Sequence, residues 1–356
     1  MNQRDFLLKN ILKIYVGKAD RLPYEYSHEE WEVLFKVAKE QSILGVTFEV
    51  VNKLPAKQQP PKQIAIEWMF WTSKIKQQNL LVNAAITELL QKLNDVGLKG
   101  CILKGQGVGL LYKDPLTRNP GDIDVWCKGT RGDIIRKLKD YKIRDIIIHH
   151  ADVDIVKGVS VEVHFVPSWF YCPFTERRFR SWYNHYTDEQ FLNMNDQGYC
   201  TPTPSFNLVY SLIHIYKHLF DEGIGLRQLM DYYHILRHST SDERYSAFRV
   251  LSSLKMARFA GAVMYVLMEV FELDAEYMLC KPSEKYGRHL LDEILIGGNF
   301  GRYNKENFHG KENSISRGLR KVKRNLKVVT FYPSEVIWAP VWKCLHWAWR
   351  RWHGYM

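Results

Sequence analysis

The spacing of apolar residues changes twice along this chain of 356 residues, and each change indicates a different backbone structure. Up to about residue 95 the apolar residues recur every three to four positions, most clearly over 64–93, as in amphipathic helices. Residues 98–166 instead contain short apolar or alternating runs that are typical of strands. The helical period returns after Pro202 and Pro204. We therefore predict an α+β fold in which a small mixed sheet is flanked by helices.

These transitions divide the chain into three predicted regions. Residues 1–95 form an N-terminal helical arm, 96–200 an α/β core, and 201–356 a helical C-terminal region with a basic, Trp-rich tail. The predicted strands are 100–103, 122–127, 143–156 (one or two strands) and 160–165, and the clearest predicted helices are 64–93, 132–138, 206–219, 226–238 and 245–271. Residues 297–315 are rich in Gly and Asn and are predicted to form a loop.

The composition indicates a globular protein of the cytoplasm. Apolar residues make up 46% and charged residues 25%, and no run approaches the roughly 20 apolar residues of a membrane span. Lys9 and Lys13 make the N-terminal segment an amphipathic helix rather than a signal peptide. The six cysteines form no CxxC pair, which favours reduced thiols. The net charge of +11 favours anionic partners such as nucleotides, nucleic acid or a lipid surface.

One stretch combines a glycine turn, basic residues and a pair of acidic residues. Asp122 and Asp124 alternate along a predicted strand, so both side chains project from the same face, about 7 Å apart. Such carboxylates repel each other unless a cation lies between them, and Mg²⁺ is bound by a few carboxylates together with substrate phosphates. Gly105 opens the backbone to a phosphate, and Lys104 and Arg118 add positive charge. This combination suits phosphoryl or nucleotidyl transfer.

Several motifs in and after this stretch follow a recognisable order. They are Lys104-Gly105, Leu111-Tyr112, Asp114-Pro115, Arg118, Gly121-Asp122-Ile123-Asp124, Val161-Glu162-Val163-His164, His214-Ile215-Tyr216-Lys217-His218 and Leu226-Arg227-Gln228-Leu229-Met230-Asp231. Over roughly residues 85–240 the chain resembles the nucleotidyltransferase superfamily related to DNA polymerase beta, and specifically its bacterial branch, the uncharacterised nucleotidyltransferase family. Members have a glycine turn, a strand with Asp-x-Asp and a third carboxylate on a later strand. The resemblance thus implies that Glu162 is the third metal ligand.

The same resemblance implies a reaction. A nucleoside monophosphate would move from an NTP, most simply ATP, to an acceptor that the sequence does not identify, with release of pyrophosphate. The catalytic residues and ligands of Mg²⁺ or Mn²⁺ would be Asp122, Asp124 and Glu162. The nucleotide would bind to Lys104, Gly105, Gln106 and Arg118.

Other polar residues leave two interpretations open. Asp152 and Asp154 form a second Asp-x-Asp without a glycine turn, and we interpret them as the surface of a hairpin. His164 either lines the site or is a structural histidine. His214 and His218 have the i, i+4 spacing of a metal pair but are predicted to pack within the helical half. Asp231 either forms a helix ion pair with Arg227 or, like His218, lies near the nucleotide.

Two other functions remain as alternatives. The superfamily usually has Gly-Ser at the turn where this chain has Gly105-Gln106, which would suit a catalytically inactive relative that binds a nucleotide or a protein. The net positive charge would suit an RNA-directed nucleotidyltransferase.

The tail is a further basic feature. Residues 314–356 contain nine Lys or Arg, one Glu and five Trp. They are predicted to pack onto the helical half, with a membrane surface or nucleic acid as the other interpretations. Pro333 and Pro340 are expected to interrupt a long helix here.

Overall fold

The computed structural model describes residues 3–303 and 333–355, and this part of the chain is α+β, as predicted. The helices are α1 (Gln3–Tyr15), α2 (His28–Glu40), α3 (Leu44–Val51), α4 (Lys62–Asp95), α5 (Gln106–Gly109), α6 (Arg131–Lys137), α7 (Pro173–Gln190), α8 (Pro204–Asp221), α9 (Leu226–Arg237), α10 (Ser241–Ser253), α11 (Ala257–Phe271), α12 (Glu284–Gly297) and α13 (Pro333–Trp352). The strands are β1 (Gly100–Ile102), β2 (Ile123–Cys127), β3 (Lys142–Ile146), β4 (His150–Asp154) and β5 (Val161–His164).

Helices from both ends of the chain share one apolar core. Trp31 of α2 and Trp68 of α4 are buried in the same cluster as Tyr232 of α9 and Phe259 of α11. Helix α1 packs directly on α11. The N-terminal helices therefore pack against the C-terminal ones instead of extending away from them.

The long helix α4 connects this helical body to the sheet. It begins after Pro60-Pro61 and ends just before Gly97, whose φ of 72° suits a residue without a side chain. Its first half contributes Trp68 to the helical core, whereas Ile86 and Leu89 pack with Val125 of β2 in a second apolar cluster. One helix thus fixes the position of the sheet relative to the helical body.

The five strands form one mixed sheet in the order β1-β2-β5-β4-β3. The central pair, β2 and β5, is parallel, and the other pairs are antiparallel. The predicted 143–156 region is the β3–β4 hairpin. One face of the sheet is covered by apolar residues, including Val125, Val153 and Val163. The opposite face of the central strands carries the acidic residues.

Several elements differ from the sequence prediction. The predicted helix 245–271 is part of two helices, because the chain turns at Lys255, which has a φ of 63°. Helices α7 and α12 were not singled out by the sequence analysis, and α7 in particular has many charged and polar residues that weaken its periodic pattern. Pro340 lies inside α13 without ending it, so the predicted interruption there is wrong. Pro333 occupies the first turn of α13, where a missing backbone N–H costs little.

Helix α13 is anchored to the α/β core rather than only to the helical half. Glu335 is buried and accepts hydrogen bonds from the backbone N–H groups of Tyr171 (2.9 Å) and Cys172 (3.0 Å). Near the other end, Trp349 packs under the guanidinium of Arg131. The basic residues 317–327 lie outside the described residues. Within 3–303 and 333–355, every helix is too short or too polar to cross a membrane.

Candidate active site

The register of three strands gathers acidic residues and histidines on one sheet face. Asp124 of β2 lies opposite Glu162 of β5, and Glu162 lies opposite Asp152 of β4. Two residues further along β5, His164 lies opposite His150 of β4. Because alternate residues of a strand share a face, the acidic row and the histidine row are neighbours on the same side.

Three of the carboxylates are close enough to hold one ion. Asp122, Asp124 and Glu162 each place a carboxylate oxygen within 4.8 Å of those of the other two. Asp122 lies one residue before β2 and is exposed, whereas Asp124 is buried. An oxygen-only set of carboxylates, with one member open to solvent, fits a hard divalent cation that also contacts a substrate. The structure therefore brings together the three ligands that the sequence analysis named.

Lys104 neutralises part of this negative charge. Its Nζ atom lies 2.8 Å from Oδ1 of Asp124, and its side chain is mostly buried. Burial disfavours the ammonium group, but Asp124, Asp122 and Glu162 outweigh burial and raise the pKa of Lys104. Lys104 follows β1, which hydrogen-bonds to β2, so the sheet itself holds this cation against Asp124.

His164 bridges two of the carboxylates. Its Nε2 atom lies 3.0 Å from Oδ1 of Asp124 and 3.2 Å from Oε2 of Glu162. Burial alone would lower the pKa of His164, but the two hydrogen bonds raise it to about 9. Burial alone would raise the pKa of Glu162, but its hydrogen bond to His164 and the charge of Lys104 lower it to about 2. His164 thus lines the site, and its hydrogen bonds to the two carboxylates hold its ring in place.

The backbone of the glycine turn lines the cavity, but the side chain of the next residue, Gln106, points away from it. Gly105 has φ 54° and ψ −114°, which a residue with a side chain rarely adopts, and it lines the cavity beside Asp122. Gln106 was predicted to contact the nucleotide. Its side-chain amide instead donates hydrogen bonds to Asn79 (3.2 Å) and Asn83 (2.5 Å) of α4, because α5 starts at Gln106 and presents it to that helix.

Arg118 was predicted to bind the nucleotide; in the structure it lines the cavity, but its guanidinium is paired with a carboxylate. Its Nε and Nη2 atoms donate to the two carboxylate oxygens of Asp231 at 2.7 and 2.8 Å. Tyr112 donates a third hydrogen bond to Asp231, at 2.7 Å. Burial alone would raise the pKa of Asp231, but Arg118 lowers it. Arg118 and Asp231 therefore form a buried pair in the cavity wall, and the pair occupies two N–H donors of Arg118 that a phosphate would otherwise use.

Arg227 does not form the helix ion pair that was one of the two interpretations for Asp231. Instead of a helix ion pair with Asp231, it donates from Nη1 to the backbone oxygen of Asn119, at 3.3 Å. Its Nε atom is buried and has no hydrogen-bond partner among the described residues. Burial and the neighbouring Arg118 lower the pKa of Arg227. A buried guanidinium with an open donor at the cavity is a ready contact for a phosphate.

Most of these groups line one cavity of about 830 Å³; Asp152, Gln106 and Tyr112 do not. His214 and His218, which were predicted to pack within the helical half, both face this cavity, with their rings 4.2 Å apart. Both histidines reach the cavity because α8 runs along the polar face of the sheet and turns its own polar side toward the site. A position near the nucleotide was predicted only for His218.

The wall of the cavity beside the histidine row is aromatic, and the sequence analysis missed it. The ring of Trp169 stacks on His149 at 3.5 Å and faces Trp342 of α13 at 6.2 Å. Lys217 of α8 lies over the rings of Trp169 and Tyr171. The adjacent histidines at 149 and 150 were the one local sequence feature that could have pointed to this wall. The rest depends on packing between segments far apart in the sequence.

The comparisons with known proteins agree with this geometry. The family model described as "Uncharacterised nucleotidyltransferase" matches residues 27–272. The match includes all five strands, the carboxylate cluster, Lys104 and Arg227, and it ends before α12 and α13. No curated protein and no solved structure gives a significant match. Since the family model covers more than half of the chain, the chain belongs to the uncharacterised nucleotidyltransferase family.

Proposed function

We propose that the protein is a metal-dependent nucleotidyltransferase that moves a nucleoside monophosphate from an NTP to an acceptor and releases pyrophosphate. One observation carries the proposal. Asp122, Asp124 and Glu162 converge within 4.8 Å at the wall of a large cavity that also contains Lys104 and the open donor of Arg227. Carboxylates for a cation beside cations for phosphates are what this transfer requires.

The three carboxylates would hold Mg²⁺ or Mn²⁺. Asp124 and Glu162 are fixed by paired central strands, whereas Asp122 lies at the entrance of β2 and is open to a substrate oxygen. Because its pKa is held near 2, Glu162 stays ionised and binds cations in preference to protons. A bound divalent ion would supply charge that stabilises the negative oxygens of the transferred phosphate.

The basic residues would orient the triphosphate. Lys104 already lies beside Asp124, so a phosphate oxygen next to the metal ligands comes within its reach. Arg227 would contact a second phosphate through its open Nε donor. Gly105 adopts the positive φ of 54° that this turn requires, and its backbone at the cavity is open to the phosphate chain. Positioning and electrostatics therefore supply the rate enhancement.

The test compares carboxylate variants with a matched surface variant. Asp124→Asn and Glu162→Gln remove a charge from the cluster with little change in shape. Asp154→Asn is the control, because Asp154 lies on β4 in the same sheet but is exposed and pairs with Arg144. We expect the cluster variants to lose about 100- to 1000-fold in the rate of pyrophosphate release, or about 3 to 4 kcal/mol, and the control to keep it.

The acceptor is found in the same series of assays. Each α-³²P-labelled NTP is incubated with the protein, Mg²⁺ and fractions of a bacterial extract, and the labelled product is identified. Label on RNA, together with steeply salt-dependent RNA binding, would support the RNA-directed alternative. Calorimetric NTP binding without label transfer in any fraction would support the inactive relative. Equal label transfer by wild type and Asp124→Asn would contradict the proposal.

A further inference from the structure

We propose that His150, His164 and Glu162 form a second metal site, which binds a first-row transition-metal ion such as Zn²⁺, Co²⁺ or Mn²⁺ and shares Glu162 with the oxygen site. This inference deepens the proposed function, because it makes the centre binuclear with two chemically different halves. The first half, Asp122, Asp124 and Glu162, offers only oxygen. The second offers two imidazole nitrogens and one carboxylate, a set that favours transition metals over Mg²⁺.

The distances between the ligand atoms fit a bound ion. Nδ1 of His150 lies 3.4 Å and Nε2 of His164 lies 3.2 Å from the same Oε2 atom of Glu162. For ligands about 2.1 Å from a metal, neighbouring ligand atoms are about 3.0 Å apart in octahedral and about 3.4 Å apart in tetrahedral geometry. The three donor atoms all lie within 4.8 Å of one another. Small side-chain movements would bring them around one ion.

The free nitrogen of His150 is an independent observation. Its Nδ1 atom is buried and has no hydrogen-bond partner among the described residues. A buried polar atom without a hydrogen bond costs about 1 to 3 kcal/mol. An ion bound between this nitrogen and Glu162 would remove that cost. This atom faces Glu162, toward the shared carboxylate.

Asp152 lies beside the ring nitrogen of His150 that would not bind the metal. Its Oδ1 atom lies 3.5 Å from Nε2, the other ring nitrogen of His150. Histidines that bind metals commonly donate the second ring N–H to a carboxylate, which fixes the ring and makes the ligating nitrogen more basic. The second Asp-x-Asp was interpreted as hairpin surface. That interpretation suits the exposed Asp154, whereas Asp152 lies in the acidic row beside Glu162.

The local charge is compatible with two ions bridged by Glu162. Asp122, Asp124, Asp152 and Glu162 carry four negative charges on this face, and Lys104 returns one positive charge. With neutral histidines, one divalent ion leaves about one negative charge on the cluster and two ions bridged by Glu162 leave about one positive charge, so both states are equally close to neutrality. A carboxylate between two cations also reduces their mutual repulsion.

The experiment measures metal binding without any nucleotide. Protein freed of metal by a chelator is titrated with Zn²⁺ by calorimetry, and with Co²⁺ by visible absorption. The variants are His150→Ala, Asp152→Asn and His185→Ala. His185 is the control because it is an exposed histidine of α7 outside the cavity. We expect Asp152→Asn to weaken Zn²⁺ binding by about 10- to 100-fold, His150→Ala to weaken it further, and His185→Ala to leave it unchanged.

A spectroscopic reading of the wild type covers the case in which a variant fails to fold. Electron spin-echo spectra of the protein loaded with one equivalent of Cu²⁺, an ion that prefers imidazole, would contain couplings to imidazole ¹⁴N nuclei. Their absence, or Zn²⁺ binding by His150→Ala as tight as in wild type, would overturn the proposal. The two proposals fail separately. Zn²⁺ binding through His150 without nucleotide transfer would contradict only the proposed function, and transfer with Mg²⁺ alone and no nitrogen coupling would contradict only the second metal site.

Discussion

The buried pair of Arg118 and Asp231 allows a quantitative prediction for Asp231→Asn. The two side chains retain only 5% and 14% of their exposure, and Asp231 accepts three hydrogen bonds of 2.7 to 2.8 Å from Arg118 and Tyr112. Asparagine keeps the shape but loses the charge, and its NH₂ group must face the donors of Arg118. Breaking a buried ion pair by removing one partner costs about 3 to 5 kcal/mol. We expect the free energy of unfolding to fall by that amount.

The assay is urea unfolding followed by circular dichroism and tryptophan fluorescence. Tyr112→Phe is the matched control, because it removes one hydrogen bond to Asp231 and should cost about 1 kcal/mol. The double variant Arg118→Met/Asp231→Leu removes both charges and should be more stable than Asp231→Asn, since no buried charge remains unpaired. A loss below about 1 kcal/mol for Asp231→Asn would refute the reasoning, because such a pair would be solvated.

Three further predictions concern other parts of the molecule. Burial lowers the pKa of His234 to about 4, below its unfolded value of about 6.5, so the free energy of unfolding should fall as pH drops from 6.5 toward 4, by up to about 1.4 kcal/mol per pH unit. Urea unfolding at pH 7, 6 and 5 should give a flatter profile for His234→Phe. Deleting residues 314–356 should lower the melting temperature in differential scanning calorimetry, because the anchor at Glu335 is lost. In calorimetric NTP titrations, Arg227→Ala should weaken binding at least tenfold, or about 1.4 kcal/mol, whereas Gln106→Ala should leave it unchanged.

The part of the site that the sequence predicted depends on local patterns. Alternation along one strand is enough to place Asp122 and Asp124 on one face, and it does the same for Glu162 and His164. The resemblance then related the two strands to each other. Their pairing in the structure brings Asp124 opposite Glu162, so short motifs within a known strand order were enough to predict that these carboxylates meet.

The remainder depends on contacts between distant segments, which no local pattern encodes. Arg118 and Asp231 are 113 positions apart, and their mutual burial converts a presumed phosphate ligand into part of the wall. His150 reaches the site only because β4 pairs with β5 in the register that puts it opposite His164. A shift of one residue would turn His150 to the other face of the sheet. Periodicity predicts that a strand exists, but packing chooses its register.

Two walls of the cavity come from different parts of the chain. One wall carries the carboxylates, and the other is aromatic and basic. The carboxylates, Lys104 and Arg227 all lie within residues 27–272, the span that the family model matches. Trp342 and its neighbours Lys343 and His346 line the same cavity from α13, which lies beyond that span. The reaction centre is thus supplied by the family fold, while α13 adds an aromatic and basic wall to it. Since α13 is held to the core by Glu335 at one end and by Trp349 at the other, that wall is a fixed part of the cavity. If the protein transfers a nucleotide as proposed, we expect the acceptor to contact this wall, and α13 would then contribute to its selection.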